Sequence, residues 1–232
     1  EYFAFFFIIK KQYMKKIGHR GAAGYSPENT LISFQKAIDL KVDGIELDVH
    51  LSLDGAIMVI HDETLDRTTN GKGLVKNFSA SQLKELGIPT LIEVLDLAKQ
   101  KCFVNIELKG IGTAKPVVDL IAYSVSEKIW NSNNFLVSSF DWKMLEEVQL
   151  LNPKIRIGGL TEESVSAALA FAKKLKAYSI HPDYRLLTKD NVALMQENGF
   201  EVYPWTVNSA EDIQKIKSFN VNGIISDFPD RI

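Results

Sequence analysis

Eight short apolar, β-branched runs recur along this chain, separated by stretches with helical periodicity. They lie near 16–20, 44–50, 103–109, 134–139, 155–160, 177–181, 200–206 and 222–226. Strands that alternate with helices build parallel sheets, because each crossover carries a helix. Eight such units predict an α/β fold, a (β/α)8 TIM-like barrel. An open doubly wound sheet is the alternative, but no Gly-x-Gly-x-x-Gly turn follows the first run. Between the runs, Ser26-Pro27 reads as an N-cap with proline at the first helical position, followed by Leu31, Phe34 and Ile38 on one face. Asp141 opens a helix with Leu145, Val148 and Leu151 inward, and Thr161 one with Val165, Leu169 and Ala172. Thr188 opens another that ends before Gly199, and Ser209 to Asp212 reads as a capping box.

One run breaks the alternation. Ala56 to His61 follows Val49 too closely for a crossover helix, and Asp54-Gly55 is a two-residue hairpin signal. Pairing Leu53 with Ala56 sets His61 opposite Asp48. The segment from Asp62 to Leu91 is then a short insertion before the chain returns to the barrel at Pro89-Thr90-Leu91.

The runs carry charges that buried strands ordinarily exclude: His19-Arg20, Glu46 and Asp48, His61-Asp62, and Glu107 with Lys109. Glu46 and Asp48 are two apart on a strand and share a face. Two inward carboxylates repel and raise each other's pKa unless a cation neutralises them. Glu107, at a matching place on the next barrel strand, completes an oxygen triad. Oxygen ligands favour Mg²⁺ or Ca²⁺ over a transition metal. The alternative is a buried salt-bridge network with Arg20 and Lys109. His19 and His61 titrate near neutral pH, as a general acid and base must. Arg20 offers a planar fork to phosphate oxygens, and Lys109 a compact charge.

Composition excludes several other classes. At 232 residues with 46% hydrophobic and 24% charged content, the chain is sized for one globular domain. A net charge of -2 speaks against nucleic acid as a partner. The single cysteine, Cys102, excludes an intramolecular disulfide and a cysteine-based zinc cluster, and its apolar setting points to a buried thiol. Phe3 to Ile9 is apolar and followed by Lys10-Lys11, but the run is too short to span a bilayer and lacks the flanks of a signal peptide. We expect residues 1–13 to lie outside the domain, a single barrel over 14–232, and a cytoplasmic location. Membrane-surface contact through residues 2–9 is the alternative.

The ordered motifs resemble the glycerophosphodiester phosphodiesterase family. They are His-Arg-Gly (19–21), Pro-Glu-Asn-Thr (27–30), Glu-Leu-Asp-Val (46–49), His-Asp (61–62), Asn-Ile-Glu-Leu-Lys (105–109), Val-Ser-Ser-Phe (137–140), Trp-Thr-Val-Asn (205–208) and Ile-Ser-Asp-Phe-Pro (225–229). The resemblance implies a TIM-like barrel and one divalent cation, Mg²⁺ or Ca²⁺, held by Glu46, Asp48 and Glu107. It implies His19 and His61 as acid and base, and Arg20 on the phosphate. The implied substrate is a glycerophosphodiester, hydrolysed to sn-glycerol 3-phosphate and an alcohol such as choline or ethanolamine. Members of the family usually carry a small inserted domain after the hairpin, and here it is reduced.

Trp205 falls at the end of the seventh barrel strand, where it can pack on the glycerol carbons, and Phe140 after the fourth can do the same. Asp227 is placed to orient a neighbour rather than to bind metal. His181 reads as structural and His50 as hairpin surface. Two other functions remain: a lysophospholipase D-type reaction on lysophospholipids at the same centre, and a non-catalytic phosphodiester-binding barrel. The second would be expected if a histidine or a ligand carboxylate were missing, and none is.

Overall fold

The computed structural model describes residues 13–232. Expectations for residues 1–12 lie outside them. The strands are β1 (Lys15–Gly18), β2 (Gly44–Leu51), β3 (Ile57–Val59), β4 (Phe103–Leu108), β5 (Phe135–Ser139), β6 (Arg156–Thr161), β7 (Ser179–Pro182), β8 (Glu201–Val202) and β9 (Gly223–Ser226). All but β3 run parallel, in the order β8-β7-β6-β5-β4-β2-β1-β9. The ring closes through backbone bonds from Asn222 N to Val202 O and from Ile225 N to Pro204 O. The chain is therefore the TIM-like barrel that the alternation predicts.

Strand alternation divides the interior. Ile17, Leu136, Tyr203 and Ile225 form one apolar cluster. Each lies two residues before His19, Ser138, Trp205 or Asp227, so cluster and polar residues share the inward face. An apolar plug thus supports a polar rim at the C-terminal strand ends, where barrel sites form. Outside, α1 (Leu31–Asp39) and α3 (Leu91–Ala98) bury Phe34, Ala37, Leu91 and Val94 against the strands. The helices α4 (Ala114–Ser126), α5 (Trp142–Leu151), α6 (Val165–Leu175), α7 (Lys189–Glu197) and α8 (Ala210–Lys217) complete the wrapping. Among the described residues, no helix is long and apolar enough to cross a membrane.

Several local expectations are corrected. The first helix is capped by Thr30, whose hydroxyl accepts from Ser33 N, and not by Ser26-Pro27. Residues 20–30 are consumed by a turn in which Arg20 and Asn29 are both left-handed. Thr161 ends β6, and Ser164 caps α6. Leu151 points outward. Asp141, Thr188 and Ser209 do cap their helices.

The hairpin register is also shifted by one. Val49 pairs with Val59, and Ile60 N donates to Asp48 O. The loop is Leu53-Asp54-Gly55, closed by Gly55 N to Ser52 O and Ser52 N to Ala56 O, with Gly55 at a positive φ of 81°. It is a three-residue loop with a glycine bulge. His61 falls just beyond the ladder and still enters the site.

After the hairpin the chain makes an excursion before rejoining the barrel. It contains α2 (Ala80–Glu85) and a small separate core of Met58, Ile60, Leu65, Val75, Leu83 and Ile88. Val59 N bonds to Pro89 O at its neck. Thr90 and Glu93 then form a reciprocal capping box that starts α3.

Candidate active site

His19, Arg20, Glu46, His61, Glu107, Lys109, Phe140 and Trp205 line one cavity at the C-terminal ends of the strands. A larger cavity opens at the opposite end, lined by Lys15, Asp43, Arg156 and Tyr178 among others. Several of its polar groups are already partnered: Lys15 with Glu201 and Tyr203, Asp43 with Tyr13 and Lys16 N, Arg156 with Asn133 O. Chemistry, not size, marks the first as the site.

The carboxylates come from adjacent strands in register, Asp48 beside Glu107 and Glu46 beside Asn105. One oxygen of each of Glu46, Asp48 and Glu107 lies within 4.8 Å of the others, and all three residues are buried. Glu46 Oε1 has no hydrogen-bond partner. Glu107 Oε1 has Lys109 Nζ at 3.0 Å but no aligned hydrogen bond. Burial, then the charges of Asp48 and Glu107, hold the Glu46 carboxyl well above its ordinary pKa, with Arg20 opposing. Burial and then Asp48 do the same to Glu107. Buried carboxylates with unused oxygens suit a hard cation with oxygen ligands.

The loop after β1 supplies the cationic side. Gly21 has φ of 88°, and a Cβ there would stand 2.5 Å from Ser33 Oγ and 2.6 Å from Ser33 C, so only glycine fits. Arg20 precedes it at φ 50°. A non-glycine residue there costs about 1–3 kcal/mol and needs the surroundings to hold it. Arg20 N donates to Glu46 Oε2 at 2.9 Å, while Arg20 O accepts from Ser33 Oγ and Asn29 N. Arg20 Nη1 donates to Glu28 Oε1 at 2.7 Å. Burial alone would lower the Arg20 pKa, but Asp48, Glu46 and Glu28 outweigh it and keep the guanidinium charged. Its Nε is buried without a hydrogen bond, 3.3 Å from Asp48 Oδ2. Asn29 Nδ2 donates to Asp48 Oδ2 at 2.8 Å and fixes that carboxylate.

Each candidate histidine is anchored by a carboxylate. His19 Nδ1 meets Asp227 Oδ1 at 2.6 Å, and His61 Nδ1 meets Asp62 Oδ1 at 2.6 Å. Hydrogen bonds from Arg67 and His61 outweigh burial and keep Asp62 ionised. Those from His19 and Asn208 do the same for Asp227. An ionised carboxylate only accepts, so Nδ1 carries the proton in each ring and Nε2 is left for proton transfer. Burial lowers the His61 pKa, against the pull of Asp48 and Asp62.

The remaining wall is aromatic. Phe140 and Trp205 meet edge to face with centroids 5.3 Å apart, and Lys109 Nζ lies 5.5 Å from the Phe140 centroid. Trp205 Nε1 donates to His181 O at 2.8 Å. His181 is fully buried, its pKa pushed down to about 3 by burial, and it bonds to Ser179. His50 is corrected: it is buried, and its Nε2 contacts His61 O at 3.0 Å. The sequence assigns no role to Glu28, Asn29, Asn105 or Arg67, although Glu28 and Asn29 lie in the Pro-Glu-Asn-Thr motif and Asn105 opens Asn-Ile-Glu-Leu-Lys.

Fold and site together define a hydrolase of phosphoric diesters built on a TIM-like barrel. The profile of the glycerophosphoryl diester phosphodiesterase family matches residues 19–231, and the chain belongs to that family. A glycerophosphodiester phosphodiesterase of Caldanaerobacter subterraneus is 38% identical over 231 residues, covering 93% of this chain and 95% of that protein. The crystal structure of the Thermotoga maritima glycerophosphodiester phosphodiesterase superposes with a TM-score of 0.81 at 30% identity, covering 94% of this chain and 96% of that one. An Oleispira antarctica phosphodiesterase solved in complex with its product sn-glycerol-3-phosphate gives a TM-score of 0.82 at 29% identity, covering 93% and 94%.

Proposed function

We propose that this chain hydrolyses glycerophosphodiesters to sn-glycerol 3-phosphate and an alcohol, with one Mg²⁺ or Ca²⁺ held by Glu46, Asp48 and Glu107. The observation that carries the reading is one cavity lined by Glu46 and Glu107, with buried Asp48 converging on them, and by two histidines, each anchored at Nδ1. The product in the Oleispira antarctica structure supports the choice of substrate class. When bound, the cation offsets charge on the phosphate and favours the ionised nucleophile.

The chain's own groups account for the rest. Arg20 directs a charged guanidinium at the phosphate oxygens, and Lys109 adds a second positive charge. One histidine takes a proton at Nε2 from the nucleophile, either water or the substrate's own glycerol hydroxyl; in the second case the cyclic phosphate that forms is then opened by water to give glycerol 3-phosphate. The other gives a proton from Nε2 to the departing alcohol oxygen. Phe140 and Trp205 pack on the glycerol carbons. A non-catalytic barrel would have no use for two carboxylate-anchored imidazoles.

The test is release of glycerol 3-phosphate from glycerophosphocholine, with chelator and after adding back each cation, beside a lysophospholipid substrate. Release from glycerophosphocholine that stops with chelator and returns with Mg²⁺ or Ca²⁺ is expected. Full turnover in chelator would remove the cation from the reading. Turnover of the lysophospholipid alone would favour the lysophospholipase D reaction.

A further inference from the structure

The Arg67 side chain does not line the substrate cavity. It lines an adjoining groove that shares His61 with that cavity, with Glu28, Thr69 and Gly87. Yet it makes four charge-assisted hydrogen bonds to two carboxylates. Arg67 Nε donates to Asp62 Oδ2 at 2.7 Å and Nη2 to Asp62 Oδ1 at 2.8 Å. Nη1 donates to Glu28 Oε2 and Nη2 to Glu28 Oε1, both at 2.8 Å. The far oxygens of this bridge are shared with the site. Glu28 Oε1 also accepts from Arg20 Nη1, and Asp62 Oδ1 also meets His61 Nδ1. A continuous chain therefore runs Arg20–Glu28–Arg67–Asp62–His61. It joins the group aimed at the phosphate to a group that moves a proton, and it crosses from the barrel loop to the excursion.

We propose that Arg67 is a positioning residue for the diesterase reaction: its guanidinium locks Asp62 and Glu28 together and so sets the His61 ring relative to Arg20. The inference rests on the functional reading above. The planar fork is what the geometry requires, since one guanidinium must present two parallel donors to each of two carboxylates. Without it, two anionic side chains face each other with no shared cation, and Asp62 is free to turn away from His61. The side chain of Arg67 is 48% exposed. Exposed ion pairs contribute little to stability, so the effect of losing this one is expected in the reaction and not in the fold.

The test uses the full chain with glycerophosphocholine as substrate and R67Q, R67K, D62N and R67Q/D62N as variants. R67Q should lower kcat by about 10–100-fold, as removing partners that orient site residues commonly does. R67K restores the charge without the fork and should recover only part. R67Q/D62N should be no slower than the worse single variant, because both changes break the same chain. A ¹⁵N imidazole spectrum supplies a readout apart from turnover: the His61 Nδ1–H signal should be lost or broadened in R67Q as in D62N.

Unchanged kcat with an unchanged His61 signal in R67Q would overturn the proposal. So would losses that multiply in the double variant, or a fall in Tm with kcat intact, which would make Arg67 a clamp only. Failure of the functional reading is distinct. It would show as a wild-type protein that releases no glycerol 3-phosphate, and the His61 spectrum would still decide the role of Arg67.

Discussion

Replacing Glu107 by glutamine should make the metal-free protein more stable while abolishing its reaction. Burial and then the Asp48 charge raise the Glu107 pKa from 4.5 to about 7, against Lys109. Each unit corresponds to about 1.4 kcal/mol, so the ionised carboxylate destabilises the cation-free fold by about 3 kcal/mol. A raised carboxylate contributes stability that is present below its unfolded pKa and lost as pH rises through the folded value. The wild-type protein in chelator should therefore lose this stability between pH 4.5 and about 7. Glu107→Gln cannot titrate there. At about pH 8 it should be the more stable protein by about 3 kcal/mol, or roughly 6–12 °C in Tm for a chain of this size. At about pH 4 the two should coincide, since both side chains are then neutral. Adding cation to about a hundredfold above Kd stabilises the wild type by about 2.7 kcal/mol and the variant far less, which closes the gap. The assay is a thermal melt at both pH values, with chelator and then with Mg²⁺ or Ca²⁺. If Glu107→Gln were instead less stable than wild type at the higher pH in chelator, the carboxylate would belong to a salt-bridge network with Lys109 and Arg20. The cation-site argument would then fall.

Three further outcomes can be checked independently. His19→Ala and His61→Ala should each reduce turnover by roughly 10²–10⁴-fold. A nitrophenyl ester, whose leaving group needs no proton, should rescue only the variant that lacks the acid, so equal rescue of both would refute the division of roles. Burial raises the Cys102 thiol to about 12, so iodoacetamide should leave it unmodified in the folded protein and alkylate it in urea; rapid native labelling would contradict its placement. Phe34 is fully buried between α1 and the barrel, and Phe34→Ala should cost about 3–5 kcal/mol in denaturant titration.

The barrel was legible because its strands are β-branched runs and its crossovers carry helix periodicity, signals that tertiary packing reinforces. Helix starts were less so. Thr161 and Ser164 are both competent caps three residues apart, and only the structure shows the Thr161 hydroxyl accepting from Glu163 N and Ser164 N as the strand ends. Asp54-Gly55 fits a two-residue or a three-residue loop equally well, and the choice shifted the register by one. The seven charged or titratable candidates, His19, Arg20, Glu46, Asp48, His61, Glu107 and Lys109, stood out because such groups are costly in apolar runs and so conspicuous, and Phe140 and Trp205 because they follow strand ends. Of the residues that orient them, Asp227 was legible, whereas Glu28, Asn29 and Arg67 were hidden in irregular backbone. Pro27 to Thr30 looked like a helix start, whereas Glu28 holds Arg20, Asn29 holds Asp48, and Thr30 alone caps the helix. Arg67 sits in a segment with little periodicity, where a charged residue draws no attention. His50 was misplaced because its run continues a hairpin whose outer face is covered.

The excursion after the hairpin has a consequence for how activity is lost. Its six-residue apolar core is separate from that of the barrel, and it supplies His61 and Asp62. Small cooperative units of this kind open at lower free energy than the whole molecule. Mild heat or denaturant should thus silence the enzyme while the parallel ring stays intact, and hydrogen exchange should report the excursion's amides opening first. If His61 moves a proton as proposed, catalytic competence and foldedness are separate quantities in this chain, because that residue is held by a unit with its own small core.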